Sequence, residues 1–291
     1  MIDGILRKFL LQSCSFSTHG DTIFNMMYGV TIKTIELTER DEFTFHEMMA
    51  HIPLLSHLDP RQVLIVGGGD GAVLREVCRH KEVQNIDLVE IDPMVIKASK
   101  EHLKLASAKV FDDPRVKITH ADAAEFLQDP SNQNKYDIIL ADTLDPLGPA
   151  ESLFEPEFYE AMHSALRPNG IVCTQGECLW IHFDLIRDLV GCCADIFDYA
   201  EYATTTVPSY PCGQIGFILA RKGESRSCRS PVRIPTFQQD LKWYNPEMHR
   251  AAFVLPQYVK KELDLLMMYP AEDDDDGNDV EGCFLTGCVV Q

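Results

Sequence analysis

The chain has 291 residues, 45% hydrophobic and 24% charged, with a formal net charge of −19, enough length to bury a full core in one or two domains. Residues 271–291 hold seven acids and no Lys or Arg, yet −12 remains on the rest, which argues against nucleic-acid binding by electrostatics and suits a cationic partner. No apolar run approaches the length of a membrane span.

Residues 1–37 carry little pattern. The first 18, MIDGILRKFLLQSCSFST, hold two bases, one acid and several serines, a weak basic character for a transit peptide. Residues 30–37 alternate loosely and read as a strand. Thr38–Phe43, TERDEF, reads as a helix lead-in with Thr38 as cap and acids in the first turn, the helix running over 44–57 and stopping near Asp59-Pro60. Strand and helix then alternate. Val63–Val66 is a buried parallel strand that turns sharply on Gly67, Gly68, Gly69, Asp70 and Gly71 into a helix over 72–80. A strand over 86–90 ends in Glu90 and precedes a helix over 93–105 opened by Pro93. A strand over 116–119 leads to a helix over 122–128 with Asp122 at its mouth, and a strand over 136–141 ends at Asp142. A helix over 155–166 closes on Pro168-Asn169-Gly170, followed by a strand over 171–174 and a helix over 182–194. Strands over 199–205 and 214–220, joined by VPSYPCG at 207–213, suggest an antiparallel edge. This α/β order predicts a doubly wound, Rossmann-like sheet with the layout of the AdoMet-dependent methyltransferase fold.

The chemistry-bearing residues gather at one edge of that sheet. Asp70, Glu90, Asp122 and Asp142 each follow the end of a strand, and ligands of open α/β sheets bind outside those carboxyl ends. One or two such acids would be ordinary caps; four make a negative crevice. Asp70 inside the glycine turn suits a cation better than a pyrophosphate, and Glu90 stands about 20 residues on, where a ribose diol is held. In DTLDPLGPAE, residues 142–151, Asp142 and Asp145 flank a turn stiffened by Pro146, Gly148 and Pro149. A diamine reaching this place carries two protonated amines at neutral pH. One carboxylate can hold one ammonium while the other takes a proton from the reacting nitrogen. A turn cap at Asp145 and a strand end at Asp142 is the plain alternative. The ten cysteines include no C-x-x-C pair, the usage of a reduced, intracellular protein without a zinc site.

On its motifs the sequence resembles the polyamine aminopropyltransferases of the spermidine synthase family. The motifs are GGGDG at 67–71, E-I-D at 90–92, D-x-x-D-P-x-G-P-A at 142–150, QGE at 175–177, P-x-Y-P-x-G at 208–213 and YNPEMHRAAFVLP at 244–256. The match runs from about residue 38 to about residue 263. The resemblance implies transfer of an aminopropyl group from decarboxylated S-adenosylmethionine to putrescine, giving spermidine and 5′-methylthioadenosine, with no prosthetic group and no metal. By position it implies Asp142 as catalytic base, Asp70 in the loop begun by Gly67 holding the donor's cationic end, and Glu90 holding the ribose hydroxyls. Asp122 and Ala123 would read the adenine, Pro149 and Ala150 would line its pocket, and Asp145, Gln175 and Tyr210 would lie along the diamine. His46 matches the family's Y-H-E-M, near the donor and acceptor ends. Asp70 would also repel the carboxylate of ordinary AdoMet.

The family carries an N-terminal β-rich domain, of which residues 1–37 are expected to be a shortened remnant; 38–265 would be the catalytic domain and 266–291 an acidic, disordered tail. Ile32–Glu36 stands where the family has D-G-x-x-Q, so Glu36 replaces the glutamine, and Phe45 replaces the tyrosine before His46. The chain ends Cys288-Val289-Val290-Gln291, a C-a-a-X pattern whose prenylation at Cys288 would anchor the protein to a membrane, against the repulsion of Asp273–Asp276. An unmodified tail is the alternative. The expected protein is a cytoplasmic homodimer or homotetramer acting on small molecules. Putrescine N-methyltransferase, spermine synthase and a catalytically weak regulatory homologue are the competing readings; Asp70 and QGE lean toward aminopropyl transfer.

Overall fold

The computed structural model describes residues 29–32, 35–38, 40–103, 108–143, 153–223 and 226–266. Asp145, Pro149, Ala150, the C-terminal Cys288 and most of the expected N-terminal remnant and tail lie outside them.

Among the described residues, nine strands fall into two sheets. β1 (Gly29–Ile32) and β2 (Ile35–Thr38) form an antiparallel pair, in register from Gly29 opposite Thr38 to Ile32 opposite Ile35. The single strand expected over 30–37 is therefore two strands. The main sheet is built from β3 (Gln62–Gly67), β4 (Asn85–Val89), β5 (Val116–Thr119), β6 (Tyr136–Asp142), β7 (Leu166–Gln175), β8 (Tyr199–Thr206) and β9 (Gln214–Arg221), in the order β5-β4-β3-β6-β7-β9-β8. The first five run parallel, and β9 pairs antiparallel with both β7 and β8. The doubly wound sheet with an antiparallel edge is thus the observed fold.

The helices are α1 (Phe43–Ser56), α2 (Ala72–Cys78), α3 (Pro93–His102), α4 (Ala123–Gln128), α5 (Pro156–Ala165), α6 (Phe183–Ile196), α7 (Pro246–Ala251) and α8 (Gln257–Leu263). The continuous apolar runs of β3 and β6 follow from burial on both faces. Alternate side chains enter opposite layers: Val63, Ile65, Ile138 and Leu140 pack with Met48, Ile52, Leu74 and Val77 of α1 and α2. Leu64, Val66, Ile139 and Ala141 pack with Phe158, Met162, Ile186 and Val190 of α5 and α6.

Two further local expectations change. Thr38 ends β2 and does not cap a helix: α1 begins at Phe43 with Glu42 as its cap residue. The acids of the lead-in serve longer contacts, since Asp41 accepts from the N–H and hydroxyl of Ser209 at 2.8 and 3.0 Å. The Pro168-Asn169-Gly170 stop lies inside β7, as a bulge: Tyr136 pairs with Leu166, and pairing resumes at Ile138 with Ile171. Asn169 takes φ +68° there and donates its N–H to Lys222 at 2.7 Å. The YNPEMH stretch yields the short helix α7, whose cap Asn245 accepts from the N–H of Met248 at 2.7 Å.

Buried Glu47 fastens that C-terminal segment to α1. Its carboxylate accepts the backbone N–H groups of Lys242, Trp243 and Tyr244 at 2.9, 2.8 and 2.8 Å. Glu47→Ala leaves three donors without this acceptor and is expected to lower unfolding free energy by about 3 kcal/mol, read from urea melts; a loss under about 1 kcal/mol would show that water replaces the clamp.

Candidate active site

In the sheet order the chain leaves β3 toward β4 and β5 and returns on the other side as β6. β3 and β6 therefore border the topological switch point, where open α/β sheets form their ligand crevice. Gly67 pairs with Asp142 at that place. Gly67 has φ +72°, and a Cβ on it would collide with the carbonyl oxygen of Asp142, so both conformation and space require glycine. The N–H of Gly68 then donates to the Asp142 carbonyl at 3.1 Å. A Cβ on Gly69 would lie 2.7 Å from Oε2 of Glu90. The glycines thus let the loop pass between the ends of β4 and β6 in direct contact with both acids.

Asp70 sits at the tip of this loop. Its Oδ1 accepts the N–H of Ala72 at 2.8 Å, starting α2, and its Oδ2 faces Nε2 of His46 at 3.7 Å. His46 is buried on the first turn of α1, with Nδ1 2.7 Å from Oε2 of Glu42. The same Glu42 oxygen accepts from Arg75 of α2 at 2.9 Å, and Arg75 reaches Glu76 at 2.6 Å. One ligating atom each from His46, Asp70 and Asp142 lies within 4.8 Å of the others, the one such trio among the described residues. That spacing could embrace a metal ion, and it equally suits a single ammonium group.

The electrostatics follow from excess acid in a dry place. Burial strips water from Asp142, and the Asp70 charge adds to it, so the carboxyl is pushed up to about 7, with His46 opposing and Glu90 reinforcing. Burial alone would lower His46, but the Glu42 hydrogen bond and the charges of Asp70, Glu42 and Asp142 raise it overall. Glu90 is also raised, chiefly by burial, against the N–H groups of Asp92 and Gly69. A cation placed here relieves this repulsion.

Gly67, Asp70, Glu90, Asp142 and His46 are therefore brought together at one edge of the sheet. Asp122 lies at the same edge after β5, and its Oδ1 caps α4 through the N–H groups of Ala124 and Glu125 at 2.8 and 3.4 Å; Ala123 is buried beside it. The four strand-end acids are less exceptional than their pattern suggested: Asp70, Glu90 and Asp122 each also accept a local backbone N–H. Gln175 ends β7, and the Tyr210 ring lies 6.2 Å from that of Phe45, the residue before His46. The Asp41–Ser209 bonds hold the 207–213 loop at the mouth of α1. Sequence reasoning missed Glu42 and Arg75. Glu42 counted only as a first-turn acid, although its four-residue spacing to His46 was a readable signal.

Residues 42–229 match the family model described as the spermine/spermidine synthase domain. The chain is similar to the spermidine synthase of Dictyostelium discoideum, 46% identical over 233 residues, covering 79% of this chain and 80% of that protein. It is also similar to the spermine synthase of Arabidopsis thaliana, 44% identical over 241 residues, covering 80% and 67%. Among solved structures, a spermidine synthase in complex with the transition state analogue AdoDATO superposes with a TM-score of 0.75 at 37% identity, covering 81% of this chain and 80% of that one.

The raised carboxyl has a stability consequence. Asp142 binds its proton more tightly folded than unfolded, so between about pH 4 and 7 the unfolded chain has released a proton that the folded one keeps, and stability falls as pH rises. The same holds for His46, whose contribution is lost as pH climbs through its raised folded value. Asp142→Asn removes the first effect. The ligand-free variant is expected to be more stable than the parent at pH 8, by on the order of 2 kcal/mol, with the gap closing toward pH 4 in thermal melts. A variant no more stable than the parent at pH 8 would show that Asp142 is not strained by its charge.

Proposed function

The chain belongs to the spermine/spermidine synthase family and is an aminopropyltransferase, and we propose that it moves the aminopropyl group of decarboxylated S-adenosylmethionine onto putrescine, giving spermidine and 5′-methylthioadenosine. The observation that carries this reading is the position of Asp142: a half-buried carboxyl pushed up to about 7, at the switch point, abutting the glycine loop and within reach of Asp70. Such a group takes a proton near neutral pH more readily than an ordinary aspartate.

In this reading Asp70 faces the donor's ammonium, Glu90 the ribose hydroxyls, and Asp122 with Ala123, Pro149 and Ala150 the adenine. Asp145, Gln175 and Tyr210 lie along the acceptor and hold its far ammonium. The near amine gives a proton to Asp142, and its nitrogen attacks the aminopropyl carbon attached to sulfur. The new C–N bond forms as the C–S bond breaks, the electron pair passes to sulfur, and the sulfonium becomes a neutral thioether. Charge and electrons balance within the two substrates and Asp142, so the step calls for no prosthetic group or metal. Loss of the sulfonium charge is favoured where water is excluded, as burial of His46 beside the half-buried Asp142 provides.

The similarity to a spermine synthase supports a second reading, with spermidine as acceptor. We further read the protein as a cytoplasmic homodimer or homotetramer; among the described residues no helix is long and apolar enough to cross a membrane.

Product analysis decides between these readings. Purified protein with decarboxylated AdoMet and putrescine is expected to yield spermidine and methylthioadenosine. Spermine formed from spermidine instead would favour the second reading, and N-methylputrescine formed with AdoMet would overturn both. Asp142→Asn is expected to lower kcat by about 10²–10⁴-fold while donor affinity changes little, measured by turnover beside calorimetry; equal losses in both would remove Asp142 from the role of base.

A further inference from the structure

Asp142 is not alone in managing the proton: the structure places a buried acid, Glu42, behind His46. We infer that Glu42 is a positioning residue that holds His46 as a hydrogen-bonded cation beside Asp142, and thereby sets the pH at which Asp142 becomes a base. The inference rests on the aminopropyltransfer reading for its consequence, while its geometry stands apart from it.

The argument is one of lone pairs. Nδ1 of His46 lies 2.7 Å from Oε2 of Glu42, and Nε2 lies 3.7 Å from Oδ2 of Asp70. A neutral imidazole carries one N–H and one lone pair. With the proton on Nδ1, the lone pair of Nε2 points at the Asp70 carboxylate; with the proton on Nε2, the lone pair of Nδ1 points at Glu42. Only the imidazolium turns an N–H toward each carboxylate, as a hydrogen bond to Glu42 and an ion pair with Asp70. Glu42 is fixed for this task from a second helix, because Arg75 donates to the same Oε2 at 2.9 Å and is braced by Glu76 at 2.6 Å. Against the effect of burial, His46 and Arg75 hold the Glu42 carboxyl below its ordinary range.

The groups facing His46 come from every element around it: Glu42 on α1, Asp70 on the glycine loop and Asp142 at the end of β6, with Arg75 of α2 behind Glu42. Asp142 is faced by Asp70, His46 and Glu90. Among the described residues, His46 is the one cation facing Asp142, and it acts to stabilise the carboxylate form. Without Glu42 the imidazole would lose its proton at lower pH, and Asp142 would be left with Asp70 and Glu90 alone. The arrangement repeats the general logic by which a proton-handling group is oriented by a third residue.

The test is Glu42→Gln, with pH profiles of kcat/KM and NMR titrations of the His46 imidazole and Asp142 carboxyl in the same samples. The expected result is a His46 titration lowered by about one pH unit and an Asp142 titration and acidic limb raised by about one unit. Activity would then fall about tenfold on the acidic side and return toward the parental rate at pH 9. Glu42→Asp, which keeps the charge, is expected to restore part of the shift. His46→Gln should raise the limb by itself, and Glu42→Gln should add nothing in that background. A loss of activity uniform across pH, or an undiminished Glu42 effect without His46, would overturn the proposal. So would a wild-type His46 that is neutral at pH 7. If the wild-type protein makes no product at any pH, the assigned reaction fails, and the two titrations still decide whether Glu42 acts through His46.

Discussion

The contact on which the site depends is the one between Gly68 and Asp142. One N–H to carbonyl bond joins the glycine loop to the end of the neighbouring strand, across the point where the sheet changes direction. It fixes the loop's height over the sheet, and that height places Asp70 against His46 and Gly69 against Glu90. A side chain at Gly67 would intrude on the same carbonyl. The backbone conformation, the register of β3 with β6 and the grouping of acids are thus one constraint seen from three sides.

That grouping is an arrangement the empty protein bears at a loss. Glu42, Asp70 and Asp142 surround His46, Glu90 adds its charge at Asp142, and with burial the result is two raised carboxyls and a raised histidine. Strand burial does not require this; the two apolar layers of β3 and β6 are complete without it. Charge conflict concentrated where a sheet offers its crevice marks a site selected for what it binds, and a cationic amine resolves it.

Most of the fold was legible because its signals are local. Apolar runs gave the parallel strands, glycines gave the β3–α2 turn, and Pro93 opened α3 where expected. The misreadings share a physical cause. Thr38 looked like a cap because TERDEF has the composition of a helix start, but Asp41 is engaged by Ser209, far along the chain, and the helix begins later. Pro168-Asn169-Gly170 looked like a stop, while the pairing of β6 with β7 absorbs it as a bulge. The site behaved likewise. Asp70, Glu90 and Asp142 could be read from strand ends, whereas Arg75, sitting 33 residues from Glu42, becomes relevant only once α2 packs on α1.

The stitching of α1 has a consequence for how the protein comes into being. Asp41 is bonded to Ser209 across 168 residues, and Glu47 to Lys242, Trp243 and Tyr244 across 195 to 197. Contacts of such separation close late, after local strands and helices have formed. During synthesis, α1 and the glycine loop leave the ribosome long before the segments that lock α1 in place. The nascent chain therefore holds Asp70 and His46 without the framework that orients them, and the crevice matures only when residue 244 has emerged. An abbreviated chain that stops before it would retain every acid of the site and lack the anchor that aims them.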